Sequence, residues 1–242
     1  MHRALALSAV PVLLAVTAVA AGCGEGSGPQ PPAGAAALVL RLTEWPGMVG
    51  PGGTAAISPS FSLLGDGRLI SRTGPPGGWP QMREDRVPPD GVRRLLRDAT
   101  AVPDRPAGNA PDAPVVRLVV VSTDGRRERT LPRTDAAVER LRATLAGYAD
   151  GPAVPFRPEA VAMVATPGDA AEPARPWPLP TLAGEPLSGL AAGSTCLVLR
   201  DADLDTVRAA ATAGAGRWRS DGRVWQVAPR PLLPDETGCA DL

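Results

Sequence analysis

Beyond His2, this 242-residue chain contains no histidine, and it contains no lysine anywhere. Without imidazole, the chain cannot form Ser-His-Asp or Cys-His catalytic sets, and it cannot bind zinc or copper through histidine. Without lysine it cannot form a Schiff base or a Ser-Lys dyad. Acid–base chemistry by carboxylates is therefore the main catalytic possibility that remains.

Aromatic residues make up only 3% of the chain, which leaves little material for stacking against sugar rings. A Gly-rich phosphate-binding motif and a G-x-S-x-G elbow are also absent from the sequence. Basic and acidic residues number 25 each, so the formal net charge is zero. Because the two signs are interspersed, the composition argues against a nucleic-acid partner. The sequence predicts no cofactor and no metal site.

The N-terminus has the layout of an export signal, with Arg3 ahead of an apolar run from Ala4 to Ala20. The run is close to the lower limit for a membrane span, about 17 residues. The ending Ala20-Ala21-Gly22-Cys23 resembles the lipobox of bacterial lipoproteins, although alanine stands where that motif usually has leucine. The resemblance implies a signal peptide over 1–22, acylation of Cys23, and a protein anchored in the bilayer at the extracytoplasmic face of the cell membrane. An ordinary cleaved signal and an uncleaved anchor are the alternatives.

Residues 23–36 contain no large apolar side chain and are rich in glycine and proline, which predicts a flexible tether. The remaining chain is long enough for one large domain or two small ones. A change in composition near residue 150 suggests two halves, 37–150 and 151–242, which form either separate α+β units or one continuous domain.

Cys196 and Cys239 remain once Cys23 is assigned to lipid. In an oxidising compartment such a pair is expected to form a disulfide. Two free thiols or a redox-active pair are the alternatives, and no Cys-x-x-Cys spacing supports the second.

The triplet Asp-Gly-Arg occurs at 66–68, 124–126 and 221–223, each time between β-rich runs. Asp-Gly at such a position indicates a hairpin, typically with a type I′ turn in which both central residues have positive φ. Apolar residues recur at helical spacing from Val92 to Ala99 and from Val138 to Tyr148, and Asp90 is the expected N-cap of the first helix. A third helix is expected over 201–214, which begins with acidic residues. The pattern predicts an α+β fold with mostly antiparallel sheets, three hairpins and about three helices.

Two groups of acidic residues are candidates, one for a calcium site and one for carboxylate catalysis. Asp201, Asp203 and Asp205 have the spacing of the first ligands of an EF-hand, but threonine stands at the sixth and twelfth positions, where the loop needs glycine and glutamate. We therefore interpret these three residues as an acidic helix start. The carboxylate candidates for a hydrolase are Glu44, Glu84, Asp85, Asp235 and Glu236, and each is also explained as a surface charge.

Trp177, Trp218 and Trp225 are the candidates for a contact surface, because exposed tryptophan near proline or a turn often marks an interface. The alternative is that these side chains pack over the edge of a small core that has few other aromatic residues.

Three segments, PDAP at 111–114, RWRSDGRVW at 217–225 and RPLLPDE at 230–236 with Cys239, resemble a group of uncharacterised secreted lipoproteins from actinobacteria. The resemblance covers most of residues 37–242. It implies the same location and fold and adds no catalytic residue, since the group has no established activity.

Together these features predict a membrane-anchored extracytoplasmic protein that binds an envelope protein or a small ligand, or serves as an accessory protein, without catalysis. A cell-envelope hydrolase that uses carboxylates alone and a solute-binding component of a transporter are the alternatives.

Overall fold

A computed structural model describes residues 28–50, 52–74, 79–105, 112–149, 151–152, 154–212 and 216–242. The described chain contains three α-helices and two sheets whose strands pair mostly antiparallel, which confirms the predicted α+β class. The predicted signal peptide, 1–22, and Cys23 lie outside the described residues.

The first sheet has seven strands, and all its neighbouring pairs are antiparallel. The strands are β1 (Leu38–Trp45), β2 (Phe61–Leu64), β3 (Arg68–Arg72), β4 (Met82–Arg86), β5 (Val115–Ser122), β6 (Gly125–Pro132) and β7 (Val154–Pro155). Their spatial order is β6-β5-β1-β2-β3-β4-β7. Because β7 follows residue 150 in the chain, the sheet crosses the boundary suggested by composition.

The second sheet has six strands in the order β10-β11-β8-β13-β12-β9. They are β8 (Ala160–Pro167), β9 (Arg175–Pro176), β10 (Glu185–Pro186), β11 (Thr195–Arg200), β12 (Arg217–Ser220) and β13 (Arg223–Pro231). Only the pair β9–β12 is parallel. The sheet therefore consists of a long antiparallel centre with short strands at both edges.

The three Asp-Gly hairpins are present as β2–β3, β5–β6 and β12–β13. Only in the third do both turn residues have positive φ, 52° at Asp221 and 73° at Gly222, as a type I′ turn requires. In the first two hairpins the glycine alone has positive φ, 85° at Gly67 and 120° at Gly125. In these two hairpins the central residues of the turn precede the glycine, so the glycine closes the turn instead of occupying its centre.

Two helices, α1 (Pro89–Thr100) and α2 (Ala136–Tyr148), cover one face of the first sheet. Asp135 caps α2, since its Oδ1 accepts hydrogen bonds from the backbone N–H groups of Ala137 and Val138 at 2.8 and 3.3 Å. Helix α1 starts after Pro88 without a side-chain cap, so the expected capping role of Asp90 is wrong. Asp90 lies instead inside the first turn, where an acidic side chain favours the helix dipole.

The opposite face of the first sheet is covered by the C-terminal tail, which we define as residues 232–242. Leu233 of the tail and Phe156 pack against Ile70, Met82 and their apolar neighbours. Cys196 of β11 is bonded to Cys239 of the tail, which confirms the predicted disulfide. The tail is thus bonded covalently to the second sheet and packed against the first.

The core of the second sheet lies under α3 (Asp201–Thr212), where Leu204 and Val207 are buried. The proline-rich segment before β10 contributes Trp177 and Leu182 to this core. The small number of Phe and Tyr residues explains this burial, because the tryptophans are the large side chains that fill the space.

Residues 28–36, the C-terminal part of the predicted tether, lie along the first sheet. Gln30 exchanges hydrogen bonds with Thr123, and the Arg68 guanidinium donates to the carbonyl of Ala35 at 2.6 Å. The chain therefore joins the folded body near residue 30, earlier than the expected start at residue 37.

Within the described ranges, none of the helices is long and apolar enough to cross a membrane.

Candidate functional site

The three tryptophans proposed as a contact surface are buried. Trp177, Trp218 and Trp225 are only 7%, 3% and 6% exposed, respectively. Trp177 packs edge-on against Trp218 with ring centroids 5.3 Å apart, and its indole N–H donates to the Thr181 carbonyl at 2.9 Å. The contact-surface hypothesis is therefore wrong for these residues, and the alternative of core packing is correct.

The acidic residues considered for hydrolysis are held by arginines. Asp85 accepts two hydrogen bonds from Arg83, at 2.7 and 2.8 Å, and Glu84 lies 3.7 and 3.8 Å from Arg86 and Arg68. Pairs of this kind stabilise the charged form of both carboxylates. Asp235 and Glu236 are also paired, in a buried ionic cluster.

The ionic cluster consists of Arg41 on β1, Arg230 on β13, and Asp235 and Glu236 in the tail. Glu236 accepts hydrogen bonds from Arg230 at 2.7 and 2.8 Å and from Arg41 at 2.7 Å. Its third donor is the backbone N–H of Leu233, at 2.9 Å. Asp235 accepts from the other arm of Arg41 at 2.6 Å. The tail thus contacts one strand from each sheet through charged groups.

The two carboxylates of the ionic cluster differ in proton affinity. Burial alone would raise the pKa of Glu236, but the hydrogen bonds and charge of Arg230, with Arg41, hold that pKa below its ordinary value of 4.5. Burial raises the pKa of Asp235, and the single guanidinium of Arg41 offsets this only in part. Both arginines in the cluster are engaged, which makes the cluster structural.

Asp201, Asp203 and Asp205 lie in the first turns of α3, as the acidic helix start predicts. Across the described part of the chain, no three His, Cys, Asp or Glu side chains are grouped in a way that would hold a metal ion.

A cleft of about 770 Å³ lies between the two sheets and is the candidate functional site. Strands β1, β3 and β6 run in the same direction, so their C-terminal ends lie at the same end of the first sheet. Strand β4 runs in the opposite direction and begins at that end. Trp45, Arg72 and Arg133 stand at those ends and line the cleft. The second sheet supplies the opposite wall through Arg217 of β12 and Gln226 of β13. The volume falls within the usual range of small-molecule sites.

A short 3-10 helix, Gly53–Ala56, brings the two sheets together beside the cleft. Gly52 and Gly53 both have positive φ, 86° and 57°, a conformation that favours glycine. A Cβ on Gly52 would lie 3.0 Å from the Cγ1 of Val164 on β8. Glycine is therefore required here both for the turn and for the close approach of the second sheet.

The apolar part of the cleft includes the side chains of Trp45, Val49, Ile57, Pro80 and Ala228, whereas the side chain of Val227 is buried in the core of the second sheet. Val49 follows Met48 in the loop after β1, and these two side chains are 43% and 80% exposed. The mouth of the cleft therefore presents apolar surface to solvent.

Three arginines give the cleft its charge. Arg217 is paired with Glu172 at 2.9 Å. Arg72 and Arg133 have no acidic partner within 4.0 Å and donate no side-chain hydrogen bond in the part of the chain that the structure describes. Arg72 is half-buried and Arg133 is exposed. Two guanidinium groups at the cleft are thus available to a ligand.

Glu44 is the one carboxylate among the described residues that line the cleft. Its Oε2 accepts a hydrogen bond from Ser60 at 3.1 Å, and its Oε1 lies 3.9 Å from the Nε of Arg142 on α2. Arg142 is shared with Glu139, to which it is closer, so Glu44 keeps part of its charge, but Arg72 and Arg133 still leave the cleft with a positive surplus. A second carboxylate, which glycosidic hydrolysis requires, is missing from this described lining.

Sequence reasoning identified Glu44 only as one of several acids and did not identify the arginines of the cleft. Arginine is the sole basic residue type besides His2, so no local pattern separates a ligand-facing arginine from the others. Comparisons with protein-family models, curated proteins and solved structures gave no match to this chain.

Proposed function

We propose that the chain is a lipid-anchored extracytoplasmic binding protein and that the cleft between the two sheets is its ligand site. The observation that carries the proposal is the cleft itself, whose apolar side chains and arginines come from both sheets. Its size suits a small molecule. The single Glu44 at the cleft supports binding in preference to glycosidic hydrolysis, which needs two opposed carboxylates.

The membrane anchor is the second part of the proposal. The apolar N-terminal run, the Ala-Gly-Cys ending at Cys23 and the Cys196–Cys239 disulfide are consistent with export to an oxidising compartment. A Cys23→Ala protein is expected to leave the membrane fraction. If it stays there with a cleaved N-terminus, lipidation at Cys23 is wrong.

Nile red, a neutral dye whose fluorescence rises in apolar surroundings, tests the cleft without regard to charge. The wild type is expected to bind the dye, and Ala228→Trp, which places an indole in the cleft, is expected to abolish binding. Ala202→Trp adds the same indole at an exposed site on α3 and serves as the matched control. Equal dye binding by all three proteins, each folded by circular dichroism, would place the dye elsewhere and refute the proposal.

A further inference from the structure

We infer that the ligand of the cleft is a small amphipathic organic anion. Its carboxylate is held by Arg72 and Arg133, and its apolar body packs between the apolar lining residues of the two sheets. This inference rests on the proposed binding function and names the chemical class that the cleft selects.

The charge of the lining excludes the other ligand classes. Of the four charged lining residues, Arg217 is balanced by Glu172, and Glu44 shares Arg142 with Glu139. Arg72 and Arg133 together outnumber Glu44 and set the sign of the field in the cleft. A cation is therefore disfavoured, and a neutral ligand would leave the half-buried guanidinium of Arg72 without a partner as it displaced its water.

The position of Arg72 suits a carboxylate. Arg72 is the last residue of β3, where its backbone pairs with Met82 and its N–H donates to the carbonyl of Ser60 at 3.2 Å. Its backbone is therefore fixed by β4 on one side and by Ser60, just before β2, on the other, while its guanidinium has no partner among the described residues. Since a guanidinium presents planar pairs of N–H donors, it can bind a carboxylate through two parallel hydrogen bonds.

The apolar body is inferred from the rest of the lining. Ile57 and Pro80 line the cleft on the side of the first sheet, and Ala228 and Pro229 line it on the side of the second. The side-chain amide of Gln226 also lines the cleft and can donate to a ligand oxygen. A site with apolar walls and a few convergent polar groups is typical of small-molecule recognition.

Three ligands with the same eight-carbon chain test the class, namely octanoate, 1-octanol and octyltrimethylammonium. Isothermal titration calorimetry on the wild type is expected to show octanoate binding about tenfold or more tightly than octanol, because a hydrogen bond to a charged group contributes about 1.5–3 kcal/mol. The cation is expected to bind least. Added salt is expected to weaken octanoate binding and leave octanol binding nearly unchanged.

Arginine variants connect that preference to the cleft. Arg72→Gln is expected to weaken octanoate binding about tenfold, and Arg133→Gln less because Arg133 is exposed to solvent. Neither substitution should weaken octanol binding. Arg94→Gln removes the same charge from an exposed position on α1 and should leave all affinities unchanged.

Octanol binding as tightly as octanoate, or octanoate binding unchanged in both cleft variants, would overturn the inferred ligand class. So would the failure of octanoate both to release heat at two temperatures and to displace Nile red. Nile red distinguishes the two levels of failure. If the dye still binds in the cleft, only the ligand class is wrong; if the dye also fails to bind there, the proposed function is wrong as well.

Discussion

Glu236 is the acceptor at the centre of the ionic cluster, and replacing it by glutamine gives a sharp test of how the tail stabilises the fold. The carboxylate is almost fully buried, with its side chain 1% exposed, and it neutralises Arg230 and part of Arg41. Glu236→Gln keeps the size of the side chain and one acceptor oxygen but removes the charge. Arg41 then keeps Asp235, whereas Arg230 loses the only carboxylate with which it is paired among the described residues.

The expected loss is large for a single substitution. Removing one partner of a buried ion pair costs about 3–5 kcal/mol, because the remaining charge stays buried without compensation. Glutamine still accepts one hydrogen bond, so we expect a value near the lower end, about 3 kcal/mol. Since native domains are stable by about 5–15 kcal/mol, this is a substantial fraction of the total.

Urea unfolding at pH 7 measures the loss as a shift in the free energy of unfolding. Asp205→Asn is the control, because Asp205 is 75% exposed and pairs with Arg208 at the surface of α3, where such pairs contribute less than about 1 kcal/mol. Asp235→Asn should also cost less than Glu236→Gln, since burial raises the pKa of Asp235 and already disfavours its charge.

The pH dependence provides an independent measurement. The folded pKa of Glu236 lies below its ordinary value of 4.5, so the unfolded chain takes up the proton first as the solution becomes acidic. The contribution of Glu236 is therefore complete above pH 4.5 and is lost as the pH falls below that value. The difference between the wild type and Glu236→Gln should shrink accordingly. A loss below about 1 kcal/mol at pH 7, the range of exposed pairs, or a difference that does not change between pH 7 and pH 3, would refute the reasoning.

Three further substitutions test the other supports of the fold. Replacing Cys196 and Cys239 by alanine opens a loop of 43 residues and should lower the free energy of unfolding by about 4 kcal/mol in the chain-entropy model; equal melting temperatures with and without reductant in the wild type would contradict this. Asp135→Ala should cost about 1 kcal/mol in urea unfolding by removing the cap of α2, whereas Asp135→Ser, which preserves capping, should cost less. Gly52→Ala should cost more than Gly189→Ala, because both glycines have positive φ but only Gly52 approaches another strand; equal losses would contradict the close packing at Gly52.

The hairpins were predictable because their signal is local. Asp-Gly between two β-rich runs depends on the backbone preferences of neighbouring residues, and no distant contact is needed to identify it. Strand β5 carries a local signal as well, because its sequence is nearly continuously apolar. The type of turn was less predictable, since the position of the glycine within the loop depends on the register of the two strands, as the pairing of Ser122 with Gly125 shows.

Strand β4 could not be predicted from its sequence, Met-Arg-Glu-Asp-Arg, because it lacks the alternation of apolar and polar residues. It is stabilised by its ladder with β3 and by contacts that cross between strands, such as Glu84 with Arg68. These partners are far apart in the chain. The same limitation hid the cleft, since Arg72 and Arg133 become neighbours of one site only after the first sheet has formed.

The tryptophan hypothesis was wrong for a compositional reason. Proline and turn residues beside an aromatic side chain often indicate an exposed contact, but this chain has only two Phe and one Tyr to fill its cores. Trp218 and Trp225 are cross-strand partners in one hairpin, and both side chains are buried in the second core. Where large apolar residues are scarce, burial of the available tryptophans outweighs the local indication of exposure.

The ionic cluster connects stability to the geometry of the proposed ligand site. Arg41 and Trp45 lie on the same strand, β1, and Arg230 and Gln226 lie on the same strand, β13. Glu236 accepts hydrogen bonds from both arginines, so it fixes β1 relative to β13. Trp45 and Gln226, on the same two strands, line opposite walls of the cleft. Because buried charges form hydrogen bonds only in narrow geometries, this arrangement restricts the spacing of the walls more than an apolar contact would. We therefore expect Glu236→Gln to weaken Nile red binding as well as stability, whereas a loss of stability alone would show that the cleft keeps its shape without the cluster.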